Sequence, residues 1–317
     1  MIRVVGDTHI RKEEPFFSAG EKVLQFFSKL QNEGDSLIQV GDFFHTSKPF
    51  PKEYTVAQRY LSSMGRKGEV YILSGNNAHE YHYIHKTHAI DPLEEIEGVK
   101  LIKEPACLLI EDETFLFLPW MPTEYCKNAG YDSLEQMYQE EFISFLVGDM
   151  KPDYVVYHFE DETVFMGGEN HGIDLSFLER LFPDIIRIGG HIHLQSENYI
   201  GTPYQTRYDE RGQKSRFYTI ENSILKKDNE IPLFLSYEDI DYEDDIDIDI
   251  PILLTVRNAP SVQSVYEKFK RKNIFIREVE LRESSSISFS SDDKDIKESS
   301  TKELLHEFLK ENKIDTN

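Results

Sequence analysis

The sequence predicts a layered α/β domain followed by a small α+β module and a short helix. Short apolar runs typical of buried strands alternate with amphipathic helical segments in the N-terminal part of the chain. After about residue 220 the character changes, and acidic and serine-rich segments separate the remaining apolar runs. We therefore predict a first domain over residues 1–220, a small capping domain over 221–283, a flexible linker over 284–300 and a terminal helix within 301–317.

Five predicted strands of the first domain matter for function, because each is followed by a polar residue that is a candidate site residue. They are predicted at residues 2–6, 37–40, 69–73, 154–157 and 185–188. Helical spacing of apolar residues indicates helices between the first three strands, over 19–33 and 52–66. The remaining predicted elements of this domain are strands at 99–102, 106–110 and 114–119, helices at 133–147 and 173–182, and further strands with loops within 199–220.

The rest of the chain is predicted as a strand, a helix and a strand, over 252–256, 262–272 and 274–281. The acidic segment 239–249 before them alternates in part with isoleucine, which favours an edge strand whose outer face is protected by charge. Residues 284–300 are rich in Ser, Asp and Lys, as linkers are. The helix over 301–312 has one apolar face, and it either packs on its own domain or docks on a partner.

Composition limits the classes of protein to consider. The 317 residues include 39% hydrophobic residues, a globular composition, and no apolar run long enough to span a bilayer. The first strand begins almost at Met1, with no signal-peptide pattern, and the two cysteines have no disulfide-framework spacing, so a reducing cytoplasm is predicted.

The formal net charge of −23 argues against nucleic-acid binding by a broad basic surface. It leaves room for a nucleic-acid enzyme, because bound cations or a partner subunit can supply positive charge. The local cluster of Arg207, Arg211, Lys214 and Arg216 is interpreted either as a solvated loop or as a phosphate contact.

Metal-binding types of side chain follow each of the five strands. They are Asp7 and His9, Asp42, Asn76, His158, and His191 with His193. Carboxylate, imidazole and amide ligands without cysteine suit manganese, iron or zinc better than magnesium alone. Two cations roughly 3.5–4 Å apart can share one carboxylate and clamp a phosphoryl transfer, and the central Asp42 is the predicted bridge. The sequence therefore predicts a dinuclear metal site at the strand ends.

In order, these residues form D-x-H, G-D, G-N, a lone H and G-H-x-H, and the sequence resembles the calcineurin-like metallophosphoesterases. It is more similar to their SbcD-type nuclease subunits, which include phage recombination nucleases. The segments that carry this closer resemblance are G-D-F-F-H at 41–45, P-W-M at 119–121, N-H-G-I at 170–173, G-H-I-H at 190–193, G-T-P-Y at 201–204 and F-Y at 217–218.

The resemblance implies a β-sandwich flanked by helices. It also implies two bound divalent ions, with Mn²⁺ preferred and Mg²⁺ as the alternative. It implies that the first ion is held by Asp7, His9, Asp42 and His193, and the second by Asp42, Asn76, His158 and His191. It further implies two-metal hydrolysis of DNA, with duplex exonuclease and single-strand endonuclease activity. The implied partner is an SbcC-type coiled-coil ATPase, docked through 301–317, with a homodimer of this chain in a heterotetramer in the cytoplasm, which is the host cytoplasm for a phage protein.

The sequence departs from the family at one motif, where G-N-N-A-H-E at 75–80 replaces G-N-H-D/E. Without a gap, Asn77 replaces the catalytic histidine and the site is silenced. With a two-residue insertion, His79 is the catalytic histidine and Glu80 orients it, which is the interpretation we favour. The ligand is then Asn76 or Asn77, with Asn76 preferred, and His45 either faces the substrate phosphate or is structural.

Three functions therefore follow from the sequence. The leading one is a manganese-dependent DNA nuclease subunit. The alternatives are a phosphatase or cyclic-nucleotide phosphodiesterase with the same metal core, and a scaffold subunit that lost its chemistry at Asn77. Activity on small phosphodiesters but not on DNA distinguishes the first alternative.

Overall fold

The computed structural model describes residues 1–76, 79–82, 85–121, 127–128, 130–138, 148, 150–160, 173–246, 249–270 and 273–282. Its first sheet has six strands, of which four neighbouring strands run parallel and end on the same side of the sheet. The order across the sheet is β12 (Ile224–Glu230), β11 (Arg216–Glu221), β1 (Ile2–Val5), β2 (Ser36–Gln39), β3 (Val70–Leu73) and β6 (Val99–Ile102). The antiparallel pairs in this sheet are β1 with β11 and β11 with β12.

The second sheet has four strands and is again parallel except for one edge strand. Its order is β10 (Ile186–Gly189), β9 (Tyr154–Tyr157), β8 (Glu113–Leu118) and β7 (Ala106–Ile110). A two-stranded hairpin, β4 (Tyr81–His82) with β5 (Thr87–His88), lies outside both sheets.

The two sheets pack face to face, because alternate residues of each strand are apolar and point to opposite sides. Ile2 and Val4 of β1 join Phe115 and Phe117 of β8 in the core between the sheets. The other face of the first sheet is covered by helices α1 (Phe16–Leu30) and α2 (Pro51–Gly65). The other face of the second sheet packs with residues of α3 (Leu134–Met137) and α4 (Ser176–Leu181). This confirms an α/β fold of mixed sheets flanked by helices.

The C-terminal module is a parallel three-stranded sheet with one helix. Strands β13 (Ser236–Asp241), β14 (Ile252–Ala259) and β15 (Ile274–Leu281) pair in that order. Helix α5 (Val262–Lys268) connects the last two strands, and Val265 and Phe269 bury its apolar side against the sheet.

Two sequence expectations need adjustment. The first sheet continues past the predicted boundary at 220, because β12 pairs with β11 as an edge strand whose residues alternate in exposure. The acidic segment contributes an edge strand only through Asp241, and the described part of 242–250 forms the connection from β13 to β14. The linker 284–300, the helix 301–317 and most of the predicted helix 133–147 lie outside the described residues, and these remain predictions. Within the described parts of the chain, no helix is long and apolar enough to cross a membrane.

Candidate metal centre

The sandwich brings the predicted ligands together at one edge. The parallel strands β1, β2 and β3 end at this edge of the first sheet, and β9 and β10 end at the matching edge of the second. Ligands bind at the carboxyl ends of strands in such sheets. The residues that follow these five strands and meet here are Asp7, His9, Asp42, Asn76, His158, His191 and His193.

Three of these residues have backbone angles that L-amino acids rarely adopt. The φ angles of His9, Asp42 and His191 are 43°, 47° and 75°. Left-handed backbone at non-glycine residues is unfavourable and clusters at functional sites. The surrounding turns therefore hold these side chains at the centre against a local conformational preference.

Two glycines allow the strand ends to approach each other closely. A Cβ atom on Gly75 would overlap both the carboxylate and the backbone nitrogen of Asp42. A Cβ atom on Gly41 would overlap the imidazole of His158. The G-D and G-N motifs thus place glycine where a side chain would displace a predicted ligand.

Asp7, His9 and His193 form a first group, in which one ligand atom from each lies within 4.8 Å of the others. The Nε2 atoms of His9 and His193 are 2.9 Å apart. Two nitrogens bound to one metal at right angles lie about 3.0 Å apart, given metal–nitrogen bonds of about 2.1 Å. All three side chains are at most 9% exposed, so the group is closed to bulk water on most sides.

Asp42, His158 and His191 form a second group at the same mutual distance limit. Nε2 of His158 lies 3.3 Å from Oδ1 of Asp42, while its Nδ1–H donates to the carbonyl oxygen of Val40 at 2.7 Å. The side-chain amide of Asn76 joins this group, 3.1 Å from Oδ2 of Asp42 and 3.3 Å from Nδ1 of His191. Asn77, the alternative ligand, lies outside the described residues.

Asp42 lies between the two groups. Its Oδ1 faces His158, and its Oδ2 is 3.8 Å from Nε2 of His9 in the first group. A carboxylate whose oxygens lie near ligands of both groups is suited to bridge two cations. The His and Asp clusters are therefore typical of a dimetal phosphoesterase site.

Unsatisfied polar atoms show that this donor set fits cations. Oδ1 of Asp7 and Nε2 of His158 are buried and form no hydrogen bond. Buried polar atoms without partners are rare in proteins, and a bound ion is one of the few causes. The hydrogen bond from Nδ1–H of His158 to Val40 also leaves Nε2 as the atom that can bind a metal, as is usual for metal-binding histidines.

The electrostatics of these side chains point the same way. Burial raises the pKa of Asp7 to about 7. Burial would also raise the pKa of Asp42, but His158 holds it well below its usual range. Although burial opposes protonation of His158, the carboxylates of Asp42 and Asp7 raise its pKa to about 10. A proton on His158 thus balances negative charge that bound cations would otherwise neutralise.

A third cluster of histidines lies beside the first group. Rings of His45 and His79 have centroids 4.9 Å apart, and that of His79 is 4.6 Å from that of His9. Nδ1–H of His79 donates to the backbone oxygen of His45 at 2.6 Å, and its Nε2 is 3.9 Å from Oδ2 of Asp42. His79 is therefore at the centre, as the insertion interpretation requires, while Asn77 lies outside the described residues.

Glu80 has a different role from the predicted one, which was to orient His79. Its fully buried carboxylate accepts hydrogen bonds from the backbone N–H groups of Phe43 and Gly75, at 2.6 and 2.5 Å. It therefore ties the loops after β2 and β3 together, and the carbonyl of His45 orients His79 instead. Burial raises the pKa of Glu80 to about 8.

Sequence reasoning missed Glu210. This carboxylate is fully buried and accepts a hydrogen bond from Nδ1–H of His193 at 2.6 Å. It also accepts from the hydroxyls of Thr202 and Thr206 and the backbone of Thr206. The only signal in the sequence was a carboxylate within a charged loop, which is not distinctive.

The basic cluster around Glu210 is largely neutralised within the protein. Arg211 pairs with Asp239, Lys214 with Glu230 at 2.6 Å, and Arg207 with Glu210 at 3.4 Å. These contacts favour the solvated-loop interpretation over the phosphate contact, since three of the four charges already have carboxylate partners.

The match to one protein-family model agrees with this centre. The family model of the calcineurin-like phosphoesterases matches residues 1–195. A solved structure of a protein of unknown function from Aquifex aeolicus is 17% identical and covers 54% of this chain and 82% of its own, with a TM-score of 0.30. A search among curated proteins finds no match. Since the family model spans residues 1–195 of 317, the chain belongs to the calcineurin-like phosphoesterases, which are metal-dependent hydrolases of phosphoesters.

Proposed function

We propose that this chain is a manganese-dependent DNA nuclease subunit that hydrolyses phosphodiester bonds with two cations. The observation that carries the proposal is the position of Asp42 between two ligand groups, with His79 beside it. Support for DNA as the substrate comes from the SbcD-like segments, including G-D-F-F-H at 41–45 and G-T-P-Y at 201–204.

In this proposal Asp7, His9 and His193 hold one ion, His158, His191 and Asn76 hold the other, and Asp42 bridges them. Bound divalent cations would activate a water molecule and neutralise charge on the phosphate. The ligand set of oxygen and imidazole donors suits Mn²⁺, and Mg²⁺ is the alternative.

His79 is the proposed general acid. Its Nδ1–H is held by the carbonyl of His45, so its Nε2 faces the centre near Asp42. In the protonated imidazole both nitrogens carry protons, and the Nε2 proton can pass to the leaving oxygen of the cut strand. Glu80 supports this by fixing the loops that carry Asp42 and Asn76.

The proposed partner is an SbcC-type coiled-coil ATPase, bound through the helix within 301–317 in a complex with two copies of this chain. The apolar pattern of Leu304, Leu305, Phe308 and Leu309 supports this, because a short amphipathic helix after a linker gains stability by docking. Deletion of 301–317 should abolish co-purification with the ATPase and leave metal binding intact. Retained co-purification would refute the docking proposal.

The test of the nuclease is cleavage of end-labelled duplex and single-stranded DNA with Mn²⁺, with and without the ATPase. The wild type is expected to cut, and His79→Ala and Asp42→Ala are expected to fail. His85→Ala is the matched control, because His85 is exposed in the turn between β4 and β5. Cleavage by His79→Ala at the wild-type rate would refute the role of His79.

The same preparations are assayed on bis(p-nitrophenyl) phosphate, a small phosphodiester. Hydrolysis of this ester without any cleavage of DNA would replace the nuclease with a small-molecule phosphodiesterase. Metal binding with no hydrolysis of either substrate, even beside the ATPase, would indicate the silenced scaffold.

A further inference from the structure

A cavity of about 320 Å³ opens beside the metal centre. The loop after β1 and the loop between β2 and α2 form its walls, so it lies at the same edge of the sheet as the ligands. Its lining includes Arg11, Lys12, His45, Lys48, Phe50 and Glu53.

The cavity is rigidly connected to the centre. His45 forms the shared wall, with its ring centroid 5.5 Å from that of His9. The two loops are joined by backbone hydrogen bonds, from His45 to Ile10 at 3.0 Å and from Ile10 to Phe43 at 3.0 Å. Arg11, directly after Ile10, is therefore held at a fixed distance from the ligands.

Two of the three basic residues that line this cavity, Arg11 and Lys48, are not neutralised as the cluster near Glu210 is. Within the described residues, which include Arg11 and Lys48, no carboxylate forms an ion pair with either side chain. Arg11 donates to the backbone oxygen of Thr206 at 3.2 Å and lies 4.3 Å from the ring of Phe16. Its Nε is buried and forms no hydrogen bond.

Neither acidic residue of the lining pairs with Arg11 or Lys48, and Oε1 of Glu53 is buried without a hydrogen bond. Glu53 is buried and accepts from the backbone N–H of Phe50 at 2.6 Å, so it caps the start of α2. Glu13 is exposed and lies 3.7 Å from Lys12. The first turn of α2 also lines the cavity, and the N-terminal end of a helix favours anions.

We infer that this cavity binds the substrate phosphate next to the scissile one, an inference that rests on the proposed nuclease function. The guanidinium of Arg11 brings a permanent positive charge and N–H donors of the kind that bind phosphate oxygens, and Lys48 adds a flexible positive charge. Successive phosphates of one strand recur about every 3.4 Å along a duplex, so a neighbouring phosphate falls within reach of a cavity one imidazole away from the ligands. The pocket gives an acidic protein a local grip on the strand that it cuts.

The test uses a single-stranded oligonucleotide with one cleavage site in which each flanking phosphate in turn is replaced by a neutral methylphosphonate. At one flanking position the wild-type kcat/KM should fall about 10- to 100-fold, as for loss of a charge-assisted hydrogen bond. Arg11→Ala should lose a similar factor on the unmodified oligonucleotide and show almost no further loss with the methylphosphonate. Arg11→Lys should recover part of the loss.

Arg59→Ala is the matched control, because Arg59 is an exposed arginine of α2 that pairs with Glu21 of α1 and does not line the cavity. It should respond to the methylphosphonate as the wild type does. Lys48→Ala provides a second variant that does not endanger folding, because Lys48 is exposed and its side chain forms no hydrogen bond or ion pair with the described residues. It should reduce kcat/KM less than Arg11→Ala and at the same flanking position.

The outcomes separate the two proposals. The phosphate pocket alone would be overturned if the wild type cut DNA and no flanking position were sensitive to the methylphosphonate. Equal sensitivity in the wild type and Arg11→Ala would overturn it as well. Hydrolysis of bis(p-nitrophenyl) phosphate by a wild type that cuts no oligonucleotide would overturn the nuclease and the pocket with it.

Discussion

Nδ1 of His193 lies 2.6 Å from Oε1 of Glu210, a carboxylate 17 residues later in the chain. The bond leaves Nε2 of His193 turned toward His9, where the two nitrogens are 2.9 Å apart. A carboxylate behind a metal-binding histidine fixes the ring and makes its other nitrogen a better ligand. Glu210 lies beyond the part of the chain that the family model matches.

Glu210→Gln should therefore weaken metal binding at the first group by about 10- to 100-fold, since such supporting residues contribute that much to affinity. Titration of the metal-free protein with Mn²⁺, followed by the loss of the free-ion electron paramagnetic resonance signal, measures this. Glu197→Gln, at an exposed residue, serves as the control. Unchanged affinity in Glu210→Gln would show that the contact is only structural.

Asp42→Ala should remove both cations, whereas Asp7→Ala should remove one. The reason is that Asp42 lies close to ligands of both groups, while Asp7 belongs to the first group alone. Elemental analysis of the dialysed proteins gives the number of ions per chain. Retention of one tightly bound ion by Asp42→Ala would contradict a bridging role.

Gly75→Ala should destabilise the protein by about 3 kcal/mol and abolish metal binding, because the new methyl group overlaps Asp42. Gly20→Ala is its opposite. Gly20 lies within α1, and a Cβ atom there would be 3.6 Å from its nearest neighbour, an ordinary contact. It should stabilise the protein by about 0.5–1 kcal/mol. The thermal unfolding midpoints of Gly75→Ala and Gly20→Ala are compared, and equal midpoints would refute the close approach at Gly75.

Asp35→Asn should destabilise the protein in a pH-dependent manner. Although burial opposes ionisation, hydrogen bonds from Arg3, at 2.7 Å, and from Asn32 lower the pKa of Asp35. The stabilisation is present above the pKa of the unfolded state and is lost as the pH falls through the lower pKa of the folded state. The difference in unfolding free energy between wild type and variant should be about 2 kcal/mol at pH 7 and shrink below about pH 4. A difference independent of pH would argue against this ion pair.

The sequence was informative where a pattern had a local cause. Apolar runs predicted β1, β2, β3, β9 and β10, and motifs at their ends predicted which side chains meet, because parallel strands end at one edge. Glu210 could not be predicted in this way, since it is one of 58 acidic residues and its partner comes from another loop. The contacts of Glu80 and His79 were missed for the same reason, because backbone groups of residues 43, 45 and 75 decide them. Strand β12 was missed because its polar sequence suits an edge position and has no apolar run.

The pairing of β11 with β1 has a consequence for how the protein is made. Residues at the two ends of the first domain are neighbours, with Ile2 opposite Ile220 and Val4 opposite Tyr218. During translation β1 emerges before β11, so one edge of β1 stays unpaired until β11 has been synthesised. His193 and Glu210 also arrive late, so the nascent chain cannot assemble its first ligand group until most of the domain has emerged. We expect metal capture at the first group to follow the synthesis of residue 210, and ribosome-bound chains that stop before residue 216 to be prone to edge-to-edge association.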